Sequence, residues 1–143
     1  MSQISSEPIL HFRVPYPVLE KTSRKTKRKS VTLVTMNNVL TWKRFYETKI
    51  KAKFKQLLID YYLPEPATTY DSLHVKYRII RHNKRKIDPD SAAFVMKWFI
   101  DVLEKLGYVE DDRYVTVSSF PTLVHPEQET LIEIKVYAGS VKW

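Results

Sequence analysis

The chain contains no cysteine, which excludes disulfide scaffolds, zinc–thiolate sites and thiol nucleophiles. Glycine is almost missing as well, with two residues among 143, so fibrous and low-complexity classes do not fit. No stretch approaches the roughly 18 apolar residues that a membrane span requires. The opening MSQISSEPIL has neither a basic leader nor a long apolar core, so no signal peptide is expected. These absences predict a soluble, cytoplasmic protein with no membrane partner.

What is present points to one ordinary globular domain covering residues 1–143, with 43% apolar and 28% charged residues. The net charge is +8, and its distribution matters more than its sum. Residues 21–29, KTSRKTKRK, carry six bases and no acid, among them Arg24, Lys25, Lys27, Arg28 and Lys29. Residues 43–55 add Lys43, Arg44, Lys49, Lys51, Lys53 and Lys55, and a third run holds Arg81, Lys84, Arg85 and Lys86. Any one run is compatible with a plain solvated face. Three in a small chain favour phosphate neutralisation on a nucleic acid, with Arg24 to Lys29 and Lys84 to Lys86 as the contacts.

Periodicity predicts a mixed α/β (α+β) domain of order β-β-α-β-α-β-β. Residues 9–14 alternate as a half-buried strand that Pro15 and Pro17 end. The basic segment 21–30 reads as a flexible loop before a strand over 31–35. From Thr41 to Tyr62, Tyr46, Ile50, Phe54, Leu57, Leu58 and Tyr61 recur at helical spacing. LHVKYRII at 73–80 alternates as a strand. A second helix runs from Pro89 or Asp90 to Leu106, with Gly107 suited to its left-handed end. Strands near 113–119 and 130–137 close the chain, with His125 to Gln128 as the turn between them.

The chemistry concentrates in 88–112, which opens with Asp88 and Asp90 and closes with Asp111 and Asp112. If the strand after Asp112 packs beside the strand ending near 80, the two acidic pairs converge. Converging carboxylates repel, and a hard cation such as Mg²⁺ or Mn²⁺ relieves them. At ~100° per residue, Lys97 lies within about 20° of Asp90, and Asp101 about 40° beyond Lys97. Lys97 is therefore expected to point at the acidic site, with Asp101 orienting its amine. The bland alternatives remain open: helix-start acids, an exposed turn, and a surface Lys97–Asp101 pair. A calcium loop is excluded, because Ala92 and Phe99 stand at ligand positions.

The segment resembles the RusA-type Holliday junction resolvases. Their Asp-x-Asp-Asn motif corresponds to Asp88-Pro89-Asp90-Ser91, and their helix lysine and Asp-x-Leu to Lys97 and Asp101-Val102-Leu103. Gly107 and Asp111-Asp112 complete the pattern. Ser91 departs from the usual Asn. The resemblance implies metal-binding carboxylates at Asp88, Asp90 and Asp112, an assisting Asp111 and an essential Lys97. It further implies a homodimer that nicks four-way DNA junctions symmetrically with Mg²⁺. The competing expectations are a non-catalytic branched-DNA-binding protein on the same scaffold and an RNA-binding module. The second is disfavoured because Tyr46, Phe54 and Tyr61 fall at core spacing. His11, His74, His82 and His125 form no metal or triad spacing and read as structural or surface residues.

Overall fold

Alternation of apolar and polar residues makes β4 (Leu73–Arg81) the spine of a mixed five-stranded sheet. The computed structural model describes residues 7–22, 25, 27, 29–33, 44–81, 92–125 and 129–139. β4 pairs antiparallel with β7 (Leu131–Ala138), which pairs antiparallel with β1 (Leu10–Pro15). On its other side β4 runs parallel to β5 (Val115–Ser119) and then to the short β6 (Leu123–Val124). This edge is in two pieces because Phe120 to Thr122 interrupt it, and Pro121 has no N–H for a ladder.

One sheet face carries Phe12, Val14, Val75, Tyr77, Ile79, Ile132, Ile134 and Val136, which pair across strands in register. Two helices join these residues in a single core. α1 (Arg44–Leu57) contributes Ile50 and Phe54, and α2 (Ala93–Leu106) contributes Val95, Trp98, Phe99, Val102 and Leu103. Rings lock the layers together, with Phe12 5.9 Å from Phe99 and Phe54 6.3 Å from Trp98 between centroids. Among the described residues, no helix is long and apolar enough to cross a membrane.

The mixed α+β class expected from periodicity is the observed one. Several details differ. Residues 21, 22, 29 and 30, expected in a loop, belong to a hairpin of β2 (Val18–Thr22) and β3 (Lys29–Leu33). The basic run therefore straddles the turn of a two-stranded sheet, and β3 covers residues 31–33 of the 31–35 strand expected, residues 34 and 35 lying outside the described residues. The two last long strands are not neighbours: β4 lies between β5 and β7.

Tyr61 was expected in the core and is 78% exposed. The cause is a π-helical turn, Leu58–Tyr62, in which Leu63 N–H donates to Leu58 O at 2.8 Å. That i→i+5 bond adds one residue to the turn and shifts the helical phase. Leu58 stays buried, Tyr61 swings outward, and Tyr62 packs tilted against Phe12 at 5.4 Å between centroids while Leu63 becomes buried.

Candidate functional site

The local chain path explains why acidic side chains gather behind α2. Gly107, at φ 88°, ends the helix in the left-handed conformation, and Tyr108 N–H donates to Leu103 O at 2.9 Å. The strand-like bridge of Val109 to Tyr70 then directs the chain back along the start of β4. Asp111 is extended, and its Oδ1 accepts the Arg113 N–H at 3.0 Å, which caps the tight turn Asp112–Tyr114. β5 follows immediately. The result is a cleft of about 300 Å³ lined by Tyr77, Ala93, Lys97, Asp101, Asp112 and Val117, among others.

Within reach of this cleft, Asp101, Glu104 and Asp112 each offer a carboxylate oxygen lying within 4.8 Å of the others. All-oxygen, anionic donors of this kind suit a hard divalent cation better than a soft one. The electrostatics are those of crowded acids. Hydrogen bonding to Asp111, with slight desolvation and the charges of Asp111 and Asp101, raises Asp112 above its ordinary value. The Arg113 backbone N–H and the Asp112 side chain lower Asp111. A bound cation would offset the repulsion among these carboxylates.

The structure brings together only part of the residue set expected from sequence. Lys97 and Asp112 line one cleft, and Lys97 is exposed. Asp111 turns to the backbone N–H of Arg113 and to its guanidinium, whose Nε lies 3.6 Å away. Asp101 was expected to orient the Lys97 amine; its carboxylate instead meets Lys55 of α1 at 3.5 Å. The strands of residues 73–81 and 115–119 are neighbours as expected, yet their parallel register sets Leu73 beside Val115. Asp112 therefore stands at the start of β4 rather than at its end. Asp88, Asp90 and Ser91 lie outside the described residues, as do Arg24, Arg28, Lys84, Arg85 and Lys86. Lys25 and Lys27 are exposed, and Lys29 begins β3.

Glu104 was missed in the sequence reading. Its signal was present, because Asp101 and Glu104 are three residues apart and share a helix face. Such i,i+3 acids are common on solvated helices, and nothing local marks Asp112 as their neighbour.

His74 is buried and structural, as expected, with Nδ1 2.6 Å from Thr116 Oγ1 and Nε2 3.0 Å from Ser118 Oγ. His11 contacts the buried Glu133, and His82 lies outside the described residues. No family model and no curated protein matches the chain.

Proposed function

We propose that the chain is a divalent-metal-dependent endodeoxyribonuclease that acts on branched DNA, working as a homodimer in the cytoplasm. The observation that carries this reading is the shared cleft of Lys97 and Asp112, two residues that the resolvase-like motif pairs functionally across fifteen positions. Ala93, five residues after Asp88 in the chain, lines the same cleft.

Asp88, Asp90 and Asp112 are the proposed ligands, and Asp112 is also the member common to the Asp101–Glu104–Asp112 cluster. A bound Mg²⁺ or Mn²⁺ would supply Lewis-acid polarisation of water and of the scissile phosphate. Lys97 contributes a positive charge to a phosphate entering the cleft and stabilises the charge that grows on it. The tie between Lys55 and Asp101 holds the rear carboxylate away from Lys97, so that the amine stays directed to substrate. Lys25 and Lys27, with the neighbouring bases, bind backbone phosphates and so favour shape over base sequence. Two copies related by a two-fold axis match the symmetry of a four-way junction.

The test is incubation of the full chain with a labelled synthetic four-way junction, with and without Mg²⁺, mapping nicks on all strands. Paired symmetric nicks that need Mg²⁺ are expected, and Asp112→Asn is expected to abolish them while junction binding in EDTA persists. Binding without any Mg²⁺-dependent nick in the unsubstituted protein would reduce the reading to a non-catalytic DNA-binding protein.

A further inference from the structure

The sheet face turned away from the helices carries two cross-strand rows of ionisable residues. In the first, Lys76 of β4 stands opposite Lys135 of β7, which stands opposite His11 of β1. In the second, Arg78 and Arg13 flank Glu133 in the same way. Four permanent cations (Arg13, Lys76, Arg78 and Lys135) thus surround one carboxylate.

Glu133 is 5% exposed and organises the second row. Its Oε1 accepts from Arg78 Nε at 2.5 Å and its Oε2 from Arg13 Nε at 3.2 Å, with His11 Nε2 at 2.9 Å. Both arginines reach Glu133 through Nε, so their terminal amino groups are not consumed by it. Their side chains keep 38% and 40% of their surface in solvent.

The first row has no carboxylate. Like charges directly opposite on neighbouring strands destabilise a sheet, and Lys76 and Lys135 occupy such a position on its central pair. Aromatic rings hold the Lys76 amine, with Tyr137 5.0 Å and Phe120 5.9 Å from Nζ to ring centroid. The same groups line a groove of about 550 Å³. Fixed guanidinium and ammonium groups around a single carboxylate form a complement to a polyanion.

We infer that this sheet face is a second DNA-binding surface, which grips the phosphodiester backbone of a segment other than the one entering the cleft. Tyr77, which also borders the groove, and Val117 alternate to the helix side of β4 and β5, whereas Lys76 and Arg78 alternate to the other side. The sheet separates the two surfaces, so one protomer can hold two arms of a branched molecule. A second copy of this chain is a poor occupant, because two-fold packing would set four cations against four. This inference deepens the branched-DNA reading and rests on it for the identity of the polyanion.

The test measures binding of the full chain to a fluorescein-labelled four-way junction and to a linear duplex of the same sequence, in EDTA, across a salt series. Lys76→Gln/Lys135→Gln is expected to weaken junction binding about tenfold near 100 mM salt and to lower the log–log salt slope by about 1.8, the value for two phosphate contacts. Preference for junction over duplex should fall with it. Lys135→Gln alone relieves the like-charge pair, so its melting temperature should be equal to or above that of the unsubstituted chain, and it should carry about half of the slope change. Unchanged affinity and slope in both variants would overturn the inference. So would a change of oligomeric state on size-exclusion chromatography, which would mean that another copy covers the face, or displacement of the junction by poly-glutamate at equal charge. Asp112→Asn, by contrast, tests the nuclease reading alone: it should lose nicking and keep the full salt slope.

Discussion

Lys55 Nζ of α1 and Asp101 Oδ2 of α2 lie 3.5 Å apart, a bridge between helices whose other attachments in the core are apolar. Each side chain is about one-quarter to one-third exposed, at 26% and 30%. Solvent therefore screens the pair, and its value lies in orientation more than in energy. Lys55→Ala is expected to cost less than about 1 kcal/mol in urea unfolding. It should also slow nicking several-fold, because Asp101 is then free to pair with Lys97.

Lys97 is exposed on a helix whose opposite face is fully buried. Lys97→Ala should thus leave the melting temperature within a degree or two and lower the single-turnover nicking rate by about 10²-fold, the usual scale for removing one charge-stabilising group. Glu104→Gln separates the two carboxylate sets. If Asp88 and Asp90 are the partners of Asp112, it leaves the rate within about twofold; a 10²-fold loss would move the metal to Asp101, Glu104 and Asp112.

Acid should unfold the protein in two stages. Burial, and then the charge of Lys76, lower the His74 pKa below its ordinary 6.5. Protonation of His74 therefore favours the unfolded chain, and stability that is full above pH 6.5 declines below it. Burial raises the Glu133 pKa, but hydrogen bonds from His11, Arg78 and Arg13 outweigh it and hold the carboxyl at about 2, against an ordinary 4.5. Its contribution is present above pH 4.5 and is lost as pH falls toward 2. Urea midpoints at pH 7, 5 and 3 measure both stages. His74→Gln should flatten the change from pH 7 to 5, and Glu133→Gln the change from pH 5 to 3.

Phe54 and Tyr61 were equivalent by spacing and differ in the structure, at 3% and 78% exposure. Phe54→Ala should cost about 3–5 kcal/mol through the cavity left beside Trp98. Tyr61→Ala should stay within about 0.5 kcal/mol. Equal losses in chemical denaturation would mean that α1 continues in regular α-helical phase past Leu57.

That contrast shows where sequence reading stops. Ile50, Phe54 and Leu58 follow the helical period and are buried, but no residue type between Leu58 and Tyr62 announces the i→i+5 bond that rephases the turn. β4 and β7 were legible from alternation because period two is a local property of a pleated strand. The hairpin of β2 and β3 was not, since a run rich in Lys and Arg reads as loop whether or not its ends pair.

Alternation, helical spacing and the Gly107 stop were sufficient, by themselves, to determine the mixed class, most element positions and a strongly cationic surface. These follow from short-range sterics and from composition. Only the tertiary structure decided that Asp112 meets Asp101 and Glu104, that Lys55 takes the carboxylate assigned to Lys97, and that Lys76 faces Lys135. Such meetings depend on which strand lies beside β4 and in which direction. That choice is made by long-range packing energies, and no residue carries it in its immediate neighbours.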